Sequence, residues 1–197
     1  MLTKTILKSI VVTLASIVML LVMGFAVLSL AFPLTLSRVS ASLGLYGVAT
    51  HYAGMEYERS KDISDLAAAT QYAIFAEDDR LIESYGDQLI EHPDFYAYCP
   101  TESMENGDYQ QYIFGRLACA KYNLGDKERA VSLVFSVNED AFPANNAIIY
   151  LALSAIDADD KATCEDILTR LETFVVEGDQ KEDLDNIKTI LEEIVNE

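Results

Sequence analysis

The sequence predicts an all-α protein in which an N-terminal transmembrane helix precedes a stack of antiparallel helical hairpins. Three observations lead there. A run near the N-terminus carries no charge and is apolar on every helical face. The remainder shows apolar residues at three- and four-residue spacing, with no two-residue alternation of the kind that marks a strand. The connecting stretches are short and rich in Gly, Asp and Asn, which suits antiparallel neighbours.

Residues 1–9 read as a short cytoplasmic N-terminus and 10–36 as the transmembrane helix. No charge occurs from Ser9 to Ser37, and Ile10 to Phe32 is almost wholly apolar. As a helix that run spans roughly 35 Å at ~1.5 Å per residue. The hydrocarbon core of a bilayer needs ~20 residues. A soluble helix without a polar face would have no wet side, whereas in lipid a helix satisfies its own backbone. Pro33 bends or ends the span. Lys4 and Lys8 flank one side and Arg38 stands alone beyond the other. The positive-inside bias puts the N-terminus in the cytoplasm and the C-terminal domain outside. The competing reading is a secretory signal cleaved near Val39-Ser40-Ala41, which would leave a secreted domain. The apolar run is longer than the ~7–15 residues of such a signal.

Residues 38–197 read as an acidic helical domain. From Arg38 onward 12 basic residues face 32 acidic ones, a net charge of about −20. Such a field excludes nucleic acid and favours basic partners or plain solubility. Val39 to Met55 is uncharged apart from His51 and too polar to span. Its small residues Ser40, Gly44, Gly47 and Gly54 permit close helix approach, so it packs on a neighbour or lies near the membrane surface. Asp62 and Asp65 start a helix that runs to Ala76. Glu77-Asp78-Asp79 makes a turn, and a second helix with Leu81, Ile82, Leu89 and Ile90 stops near His92-Pro93. Asp94 to Gly107 reads as a loop with Pro100 and Asn106-Gly107 as breakers. Helices resume at Asp108–Leu124, Lys127–Val137, Ala144–Ile156 and Ala162–Val176. A last one, Lys181–Val195, carries the stripe Leu184, Ile187, Leu191 and Ile194. Asp179 with Glu182 forms a capping box at its start.

No residue set reads as an active site, and no cofactor or metal is expected. Cys99, Cys119 and Cys164 are odd in number and widely spaced, which fits neither a zinc pattern nor a disulfide framework. Cys119 and Cys164 fall on helix faces that read as buried, and Cys99 lies in the loop. His51 and His92 belong to different elements, with no HExxH. The acids from Asp157 to Asp166 fail the EF-hand register, since Ala162 stands where the loop needs Gly. No Gly-rich phosphate loop and no nucleophile elbow occur.

The most specific signal is an echo at 34 residues. One copy reads Phe114, Leu117-Ala118, Leu124-Gly125-Asp126, then Ala130, Val134 and Val137. The next reads Ile148, Leu151-Ala152, Ala158-Asp159-Asp160, then Cys164, Leu168 and Leu171. A weaker early copy holds Leu66, Ala69, Ala73, Ile82 and Leu89. A small residue after Leu lets helices cross closely, and the Gly or Asp turn reverses the chain. The pattern resembles the tetratricopeptide repeat, whose helix-turn-helix units of about 34 residues stack into a solenoid. The family's Trp and first-helix Tyr are missing here. The resemblance implies a partner-binding face built from first helices: Gln71, Tyr112, Arg116, Tyr122, Asn123, Asn146 and Asp157. Where some members clamp a peptide carboxylate, this chain has Gly115, Cys119, Ile149 and Leu153, with Arg116 the one basic residue. The function so implied is a membrane-anchored scaffold or docking adaptor that binds other proteins, including basic segments, while its N-terminal helix meets the lipid. The alternative is a subunit of a fixed membrane complex whose span makes the key contacts through Gly24, Ala26, Ser29 and Ala31.

Overall fold

A computed structural model describes residues 2–98, 104–135, 145–174 and 181–196. These are helical, with no strand among them. The apolar run lies in α1 (Leu2–Ala31), of which Val11–Ala31 is long and apolar enough to cross a membrane. The rest of the chain buries none of that stretch. The helix stops short of the expected limit at residue 36. Phe32 leaves helical geometry at φ −137° and ψ 53°, and Pro33 opens α2 (Pro33–Ser42). Proline lacks the N–H that would extend the first ladder, yet suits the first position of a new helix. The Val39-Ser40-Ala41 site thus lies inside a helix, with Ser40 buried.

The chain reverses at Gly44, where φ is +72°. This left-handed conformation is natural to glycine. α3 (Tyr46–Ser60) then runs back along α2, and the Ser37 hydroxyl donates to the Ala49 carbonyl at 3.0 Å. Farther on, α3 meets the end of α1. The Ser29 and Tyr52 hydroxyls lie 3.0 Å apart, and Arg59 Nη1 donates to the Leu30 carbonyl at 3.1 Å. That carbonyl belongs to the last turn of α1, where backbone donors have run out and the helix dipole is negative, so a guanidinium suits it.

The chain continues through α4 (Ile63–Phe75), α5 (Asp79–Ile90), the single turn α6 (Phe95–Tyr98), α7 (Met104–Asn123), α8 (Lys127–Phe135), α9 (Asn145–Asp157), α10 (Lys161–Thr173) and α11 (Lys181–Asn196). The stretch 94–107, expected as a loop, therefore contains helix. Buried Phe95 packs edge-on against Phe114 and holds α6 to α7. Asn106-Gly107 falls in the first turn of α7, whose N–H groups lack intrahelical partners anyway, so breaker residues cost little there. Cys99, Val137 and Asp179, each used in a sequence expectation, lie outside the described residues. Of the small residues expected to admit a neighbour, Gly54 does: a Cβ there would overlap the Tyr85 hydroxyl of α5.

The pairs α4–α5, α7–α8 and α9–α10 turn in the same way. Three successive amides fold back on the first helix: Ala76, Glu77 and Asp78 donate to the carbonyls of Tyr72, Ile74 and Ala73. Leu124, Gly125 and Asp126 do so to Ala120, Tyr122 and Lys121, and Ala158, Asp159 and Asp160 to Ser154, Ile156 and Ala155. The middle residue has a positive φ each time: 53° at Glu77, 93° at Gly125 and 52° at Asp159. The third is an Asp that accepts from the first turn of the second helix: Asp78 from Arg80 and Leu81, Asp126 from Arg129, Asp160 from Thr163. A left-handed C-cap thus runs straight into an N-cap. Gly125 and Asp159 stand 34 residues apart. Glu77 and Gly125 stand 48 apart, and the surplus of 14 equals the length of the stretch 94–107. Matching positions are buried in all three pairs: Leu66, Phe114 and Ile148, then Ala69, Leu117 and Leu151, then Ile82, Ala130 and Cys164. α11 closes the core with Leu184, Ile187 and Leu191 buried and Ile194 partly so.

Candidate partner-binding groove

The start of α5 and the facing sides of α7 and α9 enclose an open cavity of about 230 Å³. Helical spacing decides its walls. On α7, Arg116, Cys119 and Asn123 recur at three and four residues and share one face. On α9, Tyr150, Leu153, Ser154 and Asp157 do the same, and α5 adds Asp79 and Ile82. Gly115 makes the close approach possible: a Cβ there would come 2.5 Å from Tyr150 Cδ2. Tyr150 is held in place edge-on by Tyr112, with ring centroids 6.4 Å apart. The volume lies below the ~300 Å³ where small-molecule pockets begin, and suits one long side chain.

The polar groups are arranged unevenly. Asn123 Nδ2 donates to Asp79 Oδ2 at 3.1 Å and orients that carboxylate. The Ser154 hydroxyl donates to the Tyr150 carbonyl at 3.1 Å and lies 3.2 Å from Cys119 Sγ. Burial pushes the Cys119 thiol up from its ordinary value despite the Ser154 hydroxyl and Arg116, so it stays protonated. Among the described residues neither the Arg116 guanidinium nor the Asp157 carboxylate has an ion-pair partner. No group of three His, Cys, Asp or Glu among those residues converges in a way that could hold a metal.

Of the predicted face, Arg116, Asn123 and Asp157 meet in this groove, and Tyr112 supports it from behind Tyr150. Gln71 is half-buried on α4 and not in the lining. Asn146 sits at the start of α9, where its N–H donates to Gln111 Oε1 at 2.9 Å. Tyr122 is a correction. It is 6% exposed and points the other way, its hydroxyl donating to Asp160 Oδ2 at 2.9 Å. Six residues beyond Arg116, it is turned by about 240° around the helix, away from the groove. Burial and the Asp160 carboxylate push it up to about 12. Burial opposes ionisation of Asp160, but hydrogen bonds from Lys127, Thr163 and Tyr122 outweigh it and hold that carboxyl well below the usual range. Asp79 and Tyr150 were missed as lining residues. Asp79 reads as turn chemistry in sequence, and only the crossing of α5 over α7 brings it in.

The membrane-flanking lysines Lys4 and Lys8 lie within α1, and Arg38 is exposed on α2. The chain matches no protein-family model, no curated protein and no solved structure.

Proposed function

We propose that the protein is a membrane-anchored docking module. α1 holds it in the bilayer with the N-terminus cytoplasmic, and the groove takes a segment of another protein that bears a basic side chain. The observation that carries this reading is the meeting of Asp79 and Asp157 with Tyr150 and Leu153 around a cavity sized for one side chain. Two carboxylates on an acidic domain steer a cation in, the aromatic and Leu walls cover its methylenes, and Arg116 with Asn123 can meet the carbonyl groups that flank it. The shared geometry of the three hairpin turns, in step at 34 residues once the 14-residue stretch is set aside, supports a tetratricopeptide-like stack.

The test is co-purification of the full-length chain from membranes, with Asp79→Asn/Asp157→Asn beside the original. The expected result is a loss of the bound partner by the double variant, on the order of tenfold, and its release by salt. Retention of the same partner by both proteins would overturn the groove as the recognition site. One observation favours a second reading, a subunit of a fixed complex: nothing in the chain lies within 4 Å of a Cβ built on Gly24. That side of α1 is open to another span, and replacing α1 by an unrelated apolar helix would abolish retention only under this reading.

A further inference from the structure

We infer that the α2–α3 hairpin is a second lipid-contacting element, lying in the headgroup boundary beside the end of α1. This rests on the reading of α1 as a membrane anchor. Val39 and Leu43, one turn apart on α2, are 49% and 68% exposed, and Leu45 and Val48 at the start of α3 are 53% and 46% exposed. The inward side is already satisfied, with Ser37, Ala49, Tyr52 and Ala53 buried. The hairpin is therefore packed on one side and still presents apolar side chains on the other. Phe75, stacked on Tyr46 with ring centroids 5.2 Å apart, extends the patch to the α4–α5 turn, where Glu77 starts the acidic surface and bounds it.

Charge points the same way. Between Lys8 and Glu56 the only charged residue is Arg38, in a chain whose acids all come later. Anionic headgroups accept an arginine and repel the acids, so this hairpin is the part of the domain that tolerates the surface. The patch is also continuous with the span itself. Only Phe32 separates α1 from α2, and Tyr52 and Arg59 hold α3 to Ser29 and Leu30 at the end of α1. A ten-residue helix is about 15 Å long, while the headgroup zone adds only ~6 Å per leaflet to the hydrocarbon. A hairpin lying along the surface keeps its apolar side in that zone. An upright one would put Leu43 and Leu45 in water, and their exposed apolar surface selects the first arrangement.

The chain has no Trp, so a single introduced one reports its own depth. Full-length Leu43→Trp, Val48→Trp, Leu20→Trp and Leu124→Trp, all at exposed positions, would be placed in phosphatidylcholine–phosphatidylglycerol vesicles with lipids brominated near the headgroup or deep in the chain. The expected result is that shallow bromines at least halve the emission of Leu43→Trp and Val48→Trp. Deep bromines quench Leu20→Trp, and Leu124→Trp is unaffected. If Leu20→Trp is quenched while Leu43→Trp and Val48→Trp behave like Leu124→Trp, the anchor stands and the inference is overturned. The hairpin then faces water, a second copy or another protein. If Leu20→Trp escapes quenching as well, the anchor reading itself fails.

Discussion

Asp160 carries more than its neighbours at the scale of single residues. Its carboxylate accepts from Lys127 Nζ at 2.6 Å, the Thr163 hydroxyl at 2.7 Å and Tyr122 at 2.9 Å, while also capping α10. Loss of a cap costs about 1 kcal/mol, and each further hydrogen bond about 1 kcal/mol net. Asp160→Ala should therefore destabilise the domain by about 2–3 kcal/mol in urea unfolding at neutral pH. The pH dependence has a definite sign. The carboxyl titrates lower in the fold than in the unfolded chain, so its contribution is whole above about pH 4 and fades as pH falls below that. Acidification should accordingly cost the original chain more stability than the Asp160→Ala variant, measured as the change in urea midpoint. A larger acid loss in the variant would contradict the assignment.

Between elements, the hairpin turns and one buried lysine make separable contributions. Glu77 and Asp159 hold the left-handed conformation that Gly125 holds without strain. Glu77→Gly and Asp159→Gly should each stabilise by about 0.5–1 kcal/mol, and Gly125→Ala should destabilise by about 1 kcal/mol, all read from thermal or urea unfolding. Lys121, 2% exposed, ties α7 to α5 through Asp87 at 2.7 Å and Glu83 at 3.4 Å. Glu83→Ala/Asp87→Ala strands that cation in the core and should cost about 3–5 kcal/mol. Adding Lys121→Met should restore most of the loss, because an apolar chain of similar shape needs no partner. The sequence makes these elements unequally legible. Leu124-Gly125-Asp126 announces its turn through the glycine, and the helix starts at Asp62 and Asp78 follow from capping residues. The equivalent turns at Glu77 and Asp159 show no glycine, so their likeness emerges only from the backbone. The break at Phe32-Pro33 is legible as a break, but not as the immediate start of another helix.

For the whole molecule, charge and attachment decide behaviour. A net charge of about −20 beyond Arg38 repels itself, and the described domain offsets it with few ion pairs. Raising ionic strength from about 0.01 to 0.15 M shortens the screening length from ~30 to ~8 Å. The melting temperature of the detergent-solubilised chain should rise over that range, and a fall would show that attractive pairs outweigh the repulsion. The groove was half legible before any coordinates. Arg116, Asn123 and Asp157 follow from helical spacing within single helices, whereas Asp79 and Tyr150 depend on how three helices cross, and Tyr122 sits only about one residue's rotation from the correct face. The clasp between Arg59 and the Leu30 carbonyl, with Ser29 against Tyr52, has a mechanical consequence. It leaves no slack between rod and head. A load applied at the groove is passed to the bilayer as a lever passes torque, so the direction in which a partner pulls would set the tilt of the span.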